Sequence, residues 1–284
     1  MFRKLIPFAA LLLLAGCKTD PNIVAGTPRP KEYKTVISLS PSTSELLGAT
    51  NKAGLLLKGR TRACNFPADV PQAPVVCDVK PDFEKIAKIH PDLILYDKDL
   101  FSDSDIAKLK TLGADMFILD ATTLDKFEAE AASLASMVGG ETPMSEYIDR
   151  VNKAVQTARA SGDENKNTTV AMISPGKGGE HYIAGTDSFQ AEEIRLAGAK
   201  PIGPKSSKFE VLSPETLLKD DPDFIVTGGD PTDFVKDSRF AGLKAVKTKG
   251  HVFGIKDDIA YRRGFRVDVF ILNVYKQIEA VKHG

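Results

Sequence analysis

Short apolar runs alternate with amphipathic stretches along most of the chain. In the first half, apolar runs of strand length lie at 36–40, 54–59, 92–97 and 115–120, and helical patterns lie near 44–47, 82–89 and 103–112. In the second half, the apolar runs are 169–174, 181–185, 223–228 and 251–255, and the helical patterns lie near 188–197, 214–219 and 265–281. This alternation is typical of α/β lobes built on parallel strands, so we predict one such lobe in each half.

A longer helix is predicted between the two halves. Met144, Tyr147 and Val151 repeat at helical spacing, with Thr142 placed to cap the helix and Pro143 in its first turn. A helix of about 17 residues is roughly 25 Å long, enough to brace one lobe against the other. Because ligands of such sheets bind beyond the carboxyl ends of the strands, we expect a cleft between the lobes. The predicted parts are an N-terminal lobe (33–140), a connecting helix (141–162) and a C-terminal lobe (163–284).

One short pattern occurs twice. The segment EKIAKIHPDLIL begins at Glu84, and ETLLKDDPDFIV begins at Glu215, 131 residues later. Each copy predicts a helix that ends before proline, followed by a buried strand, because proline disfavours helical backbone in the residue before it. The repeat indicates two similar halves that face a common target.

The first residues have the order of a secretory signal. Arg3 and Lys4 precede an apolar run at 5–14, and the run ends in LAGC, with Cys17 as its last residue. This tetrapeptide resembles a bacterial lipobox, which implies a signal peptide (1–16), cleavage before Cys17 and lipid attachment to its sulfur. Residues 17–32 then predict a flexible tether. The alternative is an uncleaved anchor helix. We expect an extracytoplasmic protein that contacts the bacterial cell membrane only through its lipid.

The composition argues against several kinds of site. With 38 basic and 38 acidic side chains, the chain lacks the charge excess expected for nucleic-acid binding. Cys64 and Cys77 enclose twelve residues and can form a disulfide in an oxidising compartment, the alternative being two free thiols. No C-x-x-C motif is present and the four histidines are scattered, so we predict no protein-bound metal.

Catalytic motifs are also absent from the sequence. It contains no G-x-S-x-G, no phosphate-binding G-x-x-x-x-G-K-[ST] loop, no H-E-x-x-H and no G-x-G-x-x-G after a strand. We therefore predict a binding protein with no catalytic residues. An exported α/β enzyme remains a remote alternative. A purely structural surface lipoprotein would have neither the cleft nor the duplicated glutamates.

Taken together, the lipobox, VISLSPSTSELL at 36–47, the paired glutamate segments and the central helix resemble the solute-binding proteins of ABC importers for cobalamin, ferric siderophores and haem. The CNFP segment, DFEKIAKIHPDLIL and VTGG are most similar to the cobalamin-binding branch. The resemblance implies two Rossmann-like lobes joined by one long rigid helix, with the ligand cleft between them. It also implies a small-molecule metal chelate as ligand, no resident cofactor and an ABC permease as partner. We expect a monomer.

The resemblance assigns a role to the repeated glutamates. In this family, the equivalent side chains lie on the upper surface of each lobe and pair with arginines of the permease, which implies docking roles for Glu84 and Glu215. Two carboxylates on a rigid body can steer association and fix its orientation. The alternative is that each glutamate merely stabilises the N-terminus of its own helix.

Loops that follow predicted strands supply the candidate ligand-binding residues. We select Arg62, Phe66, Tyr96, Tyr261 and Arg262, since flat side chains with polar groups suit a large ring that carries carboxylates or amides. The alternative is that the arginines pair with neighbouring acids. The lack of tryptophan departs from the aromatic residues that the cobalamin branch uses against the corrin. Cobalamin or a related corrinoid is favoured, and a ferric siderophore or haem stays open.

Overall fold

The computed structural model describes residues 31–160, 165–176 and 179–283. The predicted signal peptide, Cys17 and the tether up to residue 30 lie outside these ranges. Within the described residues, no helix combines the length and the apolar character that crossing a membrane requires.

The N-terminal lobe contains a five-stranded parallel sheet. Its strands are β1 (Val36–Ser38), β2 (Leu57–Thr61), β3 (Val75–Cys77), β4 (Leu93–Asp97) and β5 (Asp115–Leu119), in the order β3-β2-β1-β4-β5. The helices are α1 (Pro41–Ala49), α2 (Ala53–Leu56), α3 (Phe83–Ile89), α4 (Asp103–Lys110) and α5 (Leu124–Val138). Strand β4 is buried at every position because its alternate side chains enter apolar clusters on opposite faces of the sheet.

The C-terminal lobe has a mixed sheet rather than the parallel sheet that the sequence predicts. Its strands are β6 (Thr169–Pro175), β7 (His181–Ala184), β8 (Lys200–Ile202), β9 (Phe209–Val211), β10 (Phe224–Gly228) and β11 (Val252–Ile255). The order is β11-β10-β6-β7-β9, with β8 also beside β6. Strand β7 is antiparallel to both its neighbours because it follows β6 through a short loop instead of a crossover helix. The helices are α7 (Phe189–Leu196), α8 (Pro214–Asp220), α9 (Thr232–Lys236), α10 (Lys244–Lys247), α11 (Asp257–Ala260) and α12 (Val267–His283).

The repeated sequence forms a repeated structure. Helices α3 and α8 each begin after a capping side chain, Asp82 in one lobe and Ser213 in the other. Each helix ends at a left-handed residue that precedes proline, His90 with φ 51° and Asp221 with φ 39°. The prediction of a helix stopped by proline and followed by a buried strand is correct for both copies.

The aspartates of the two Pro-Asp pairs have matching contacts. One oxygen of Asp92 accepts hydrogen bonds from the backbone N–H groups of Lys34 and Thr35, just before β1. One oxygen of Asp223 accepts bonds from the backbone N–H and the hydroxyl of Thr169, at the start of β6. Each aspartate therefore joins the start of β4 or β10 to the start of the central strand beside it.

The connecting helix is α6 (Glu141–Arg159), which agrees with the predicted position but not with the predicted cap. Its N-cap is Gly140, and Thr142 lies inside the first turn. A Cβ atom at Gly140 would lie 2.4 Å from the Cβ of Thr50, so the close approach to the end of α1 requires glycine. Helix α6 packs along α12, and the Tyr147 hydroxyl donates to the carbonyl of Gly264, three residues before α12, at 2.6 Å.

Candidate functional site

Loops from the carboxyl ends of both sheets line two adjoining cavities between the lobes, of about 530 and 450 Å³. Asp97, Leu100 and Tyr261 line both cavities, so the two form one continuous cleft. The first cavity is also lined by Pro41, Ser42, Ala63, Asn65, Asp257, Asp258 and Arg262. The second is also lined by Asp99, Ser174, Tyr182, Phe189, Gln190, Ser207, Lys208, Phe209 and Arg263. The cleft expected from the arrangement of strands is therefore present.

A buried carboxylate ties the two lobes together beneath the first cavity. Glu45 of α1 is 1% exposed, and its oxygens accept bonds from Arg262 at 3.0 Å and from Arg266 at 2.6 Å. The backbone N–H of Phe265 donates to the same carboxylate at 3.1 Å. A side chain at Gly264 would collide with Glu45, since its Cβ would lie 2.6 Å from the Glu45 Cβ. Residues 262–266 can therefore surround and bind the Glu45 carboxylate only because residue 264 is glycine.

A second buried ion pair crosses between the lobes at the centre of the cleft. Arg263 donates from Nε to Asp97 at 3.3 Å, and its Nη1 donates to the carbonyl of Ala121. Burial raises the pKa of Asp97, and the adjacent Arg263 guanidinium opposes this rise. The Arg263 donors are thus directed to the protein and not to the open cavity.

One wall of the second cavity is aromatic. The rings of Phe209 and Tyr261 meet edge to face, with centroids 5.8 Å apart. The Tyr261 hydroxyl shares a hydrogen bond with Ser174, and burial raises the pKa of this phenol. Its ring fits against Gly228, where a Cβ would lie 2.1 Å from the ring. From the opposite lobe, the exposed Leu100 projects between the two cavities. This apolar surface suits a broad, flat ligand.

A further ion pair spans the cleft near solvent. Lys208 of the C-terminal lobe lies 3.2 Å from Asp99 of the N-terminal lobe, and both side chains are partly exposed. Asp257, beside the first cavity, forms no ion pair with the described residues. Acids that line the two cavities outnumber cations by one: Asp97, Asp99, Asp257 and Asp258 against Lys208, Arg262 and Arg263.

The structure brings two of the five selected residues into the cleft. Tyr261 and Arg262 line it, whereas Arg62, Phe66 and Tyr96 line neither cavity. Arg62 points to solvent and pairs with Asp78 at 2.9 Å. Phe66 packs under the guanidinium of Arg266, 4.4 Å from its ring centroid. Tyr96 is buried among the apolar residues behind β4, on the opposite face of the strand from Leu95.

Cys64 and Cys77 are free thiols in the structure, so the predicted disulfide is not formed there. Both are buried, and Ser44 donates a hydrogen bond to the Cys64 sulfur at 3.0 Å. Burial raises the pKa of Cys64, and it raises that of Cys77 to about 11. Both thiols are therefore protonated near neutral pH. Among the described residues, no group of three or more metal-binding side chains comes together.

The repeated glutamates occupy equivalent exposed positions. Glu84 lies in the first turn of α3 and Glu215 in the first turn of α8. Both helices run from the carboxyl edge of their sheet back to its amino edge, because each one leads into a strand parallel to the central strand. Glu84 and Glu215 therefore lie at the edge of each lobe where the cleft opens.

Leu100, Lys208 and Phe209 were not selected from the sequence, although they line the cleft. Leu100 follows the predicted strand at 92–97 by only three residues, which could have suggested it. Lys208 precedes β9 and Phe209 begins it, and this strand of three residues is too short to produce a recognisable pattern.

Comparisons with known proteins agree with this architecture. A family model described as periplasmic binding protein matches residues 36–259. The substrate-binding lipoprotein YvrC of a Bacillus subtilis ABC transporter is 25% identical over 250 residues, which cover 84% of this chain and 77% of that protein. A cobalamin-binding protein of Halobacterium salinarum is 24% identical over 208 residues. That match covers 69% of this chain and only 54% of the relative.

Solved structures share the fold at lower identity. The vitamin B12 binding protein BtuF of Vibrio cholerae superposes with a TM-score of 0.76 at 20% identity, covering 90% of this chain and 100% of that one. The haem-binding protein BhuT, solved with two haems, gives 0.75 at 18% identity, covering 88% and 99%. At such identities these structures support the two-lobed fold alone. The match over most of the sequence shows that the chain belongs to the periplasmic binding protein family, and it is a binding protein and not an enzyme.

Proposed function

We propose that the protein captures a corrinoid of the cobalamin class in the cleft and delivers it to an ABC import permease outside the bacterial cell membrane. The cleft offers an aromatic and aliphatic surface formed by Leu100, Phe209 and Tyr261. A corrinoid is a broad ring rimmed by neutral amides, so it can use this surface without needing free cations. The Halobacterium relative, which is named as a cobalamin-binding protein, supports the same choice.

The pairing of the basic side chains carries this proposal. Each described cation that lines the cleft already has a carboxylate partner: Arg262 with Glu45, Arg263 with Asp97, and Lys208 with Asp99. Haem propionates and ferric catecholates bring negative charge, and they would have to compete with these pairs. Freeing a buried arginine from its partner leaves an unpaired charge, which is costly. Anionic chelates are therefore disfavoured.

The two cavities also offer few side chains that could coordinate haem iron. Haem is held by histidine, cysteine, methionine or tyrosine, and no histidine of the described part of the chain lines either cavity. Tyr182 and Tyr261 do line the second cavity, but the neighbouring charge of Glu180 raises the pKa of the Tyr182 phenol and burial raises that of the Tyr261 phenol. A phenol that resists ionisation is a weaker ligand for ferric iron. A ferric siderophore with neutral or positive charge remains the second candidate, since the excess acid Asp257 favours it.

Anchoring and delivery complete the proposal. Lipid on Cys17 would hold the protein at the membrane, and residues up to 32 would give the lobes reach. YvrC, the Bacillus relative, is itself named a lipoprotein of an ABC transporter. The exposed Glu84 and Glu215 would contact basic side chains of the permease, one from each lobe.

Thermal unfolding in the presence of candidate ligands tests the choice of ligand. We expect cyanocobalamin to raise the Tm of the purified protein, because a ligand at 100 times its Kd stabilises by about 2.7 kcal/mol. Leu100→Ser should weaken this effect, whereas Ile118→Ser, a matched exposed residue outside both cavities, should not. Stabilisation by haem or a ferric catecholate without stabilisation by cyanocobalamin would contradict the proposal.

A further inference from the structure

An exposed valine precedes each of the two helices that carry the repeated glutamates. Val79 is 84% exposed and lies three residues before Asp82, the N-cap of α3. Val211 is 63% exposed and lies two residues before Ser213, the N-cap of α8. Single exposed apolar side chains are common on protein surfaces. The two valines differ from that background because they recur at corresponding places in both lobes.

The correspondence extends to the sheet topology. Val79 follows β3 and Val211 ends β9, the strands at corresponding ends of the two strand orders. From β3 the chain passes through α3 to β4, on the far side of the central strand β1. From β9 it passes through α8 to β10, on the far side of the central strand β6. Strands β3 and β9 both end at the carboxyl edge of their sheets. The valines thus share that edge with Glu84 and Glu215.

Both valines are presented on ordered backbone. Val79 stands at the tip of a turn that is closed by a bridge between Cys77 and Pro81. The Arg62–Asp78 ion pair braces the same turn. Val211 is fixed by its pairing with Tyr182 in the sheet. Because the backbone that carries the valines is already ordered, little backbone freedom is lost on binding, which favours their use in an interface.

We propose that Val79 and Val211 are the apolar parts of two equivalent docking points, each completed by the neighbouring glutamate. The inference rests on the proposed delivery to a permease. Two matching points on one rigid protein fit a partner that presents the same surface twice, as a permease built from two like subunits does. Each partner subunit would offer a basic side chain to the glutamate and an apolar socket to the valine. The glutamate steers and orients the encounter, and the buried valine slows dissociation.

Photo-crosslinking in the bacterium that encodes the chain tests this surface. The full-length, membrane-anchored protein would carry benzoylphenylalanine at position 79, 211 or 55 in separate strains, and adducts would be identified by mass spectrometry. Leu55 is a matched control because it is 67% exposed but lies beside the start of β2, at the opposite edge of the sheet. We expect positions 79 and 211 to capture the same integral membrane permease, and position 55 to capture none.

A second set of variants measures the contribution of the valines. Val79→Ser with Val211→Ser should weaken association with the captured permease, reconstituted in nanodiscs, by about tenfold or more, since burying a valine is worth at least that much. Leu55→Ser should leave association unchanged. Adducts at only one of the two valine positions, adducts with different proteins, or unchanged association of the double variant would overturn the inference.

Ligand binding is measured separately on the same proteins. If cyanocobalamin fails to bind while positions 79 and 211 still capture one permease, the proposed ligand is wrong and the docking surface stands. If cyanocobalamin binds but the adducts are absent, the docking surface is wrong and the proposed ligand stands.

Discussion

At the scale of single residues, Glu45 is a buried carboxylate whose charge is balanced entirely by the opposite lobe. Arg262 and Arg266, its partners, are themselves largely buried. We expect Glu45→Ala to lower the free energy of unfolding by about 3 to 5 kcal/mol, because it leaves two buried guanidinium groups without their shared partner. Urea denaturation with a linear extrapolation measures the change.

A surface ion pair supplies the control for Glu45. Arg62 and Asp78 lie 2.9 Å apart, but their side chains are 69% and 63% exposed. We expect Arg62→Ala to change stability by about 0 to 1 kcal/mol, as is usual for exposed pairs. If Glu45→Ala and Arg62→Ala lowered the free energy of unfolding equally, burial would not determine the strength of these ion pairs.

Glu193 in α7 makes stability depend on pH. The side chain is buried, neither oxygen has a hydrogen-bond partner among the described residues, and burial raises its pKa well above 4.5. The folded state therefore binds the proton more tightly than the unfolded chain. The stabilising contribution of this proton is complete below the unfolded pKa and is lost as pH rises toward the folded pKa, by up to about 1.4 kcal/mol per pH unit.

The variant Glu193→Gln removes this titration while keeping the shape of the side chain. We expect its stability relative to the original protein to increase as pH rises above about 4.5. Urea midpoints of the two proteins at a series of pH values provide the comparison, in which the titrations of other groups cancel. If the difference between the two urea midpoints stayed constant with pH, Glu193 would not be the group that binds the proton.

At the scale of elements, α6 shows how a helix start is set by its neighbours. A Cβ at Gly140 would press on Thr50, so we expect Gly140→Ala to lower the free energy of unfolding by about 1 to 3 kcal/mol. Thr142→Ala should change it by less than about 0.5 kcal/mol, because this exposed side chain does not cap the helix. Thermal and urea unfolding of both variants test this. A larger loss of unfolding free energy in Thr142→Ala would indicate that Thr142 caps the helix after all.

The elements that the sequence predicts correctly are those whose ends or burial are marked by strong local signals. The two helices before Pro91 and Pro222 and the buried strands after them follow from proline and from continuous apolar runs. Short strands such as β3, β8 and β9 have three residues each, too few to show a period. The run predicted as a strand at 54–59 begins as the short helix α2, because the N–H groups of Leu55 and Leu56 bond back to the carbonyl of Lys52.

The site was harder to predict than the fold because its contacts are distant in sequence. Arg262 lines the cleft, but its partner Glu45 is 217 positions away and has no local signature. Tyr96 and Asp97 are adjacent on β4 and point to opposite faces, so only Asp97 reaches the cleft. Which face of a central strand meets the cleft depends on the packing of both lobes.

At the scale of the whole molecule, the equivalent glutamates predict a division between binding and delivery. We expect Glu84→Lys combined with Glu215→Lys to abolish uptake of cyanocobalamin by cells while leaving its Kd for the purified protein unchanged. Both side chains are exposed and outside the two cavities, so charge reversal should disturb only the encounter with the permease. A collapse of ligand affinity in the double variant would rule out a docking role.

The buried ion pairs between the lobes predict that the lobes move little when ligand binds. Separating them would break the Glu45 and Asp97 ion pairs in buried surroundings, whereas the exposed pair of Lys208 and Asp99 can yield at little cost. We expect small-angle scattering to give nearly the same radius of gyration with and without cyanocobalamin. The variant Glu45→Gln weakens one tie while leaving α6 intact, and we expect it to compact more on binding. A large compaction of the original protein would mean that neither the ion pairs nor the connecting helix restrain the lobes.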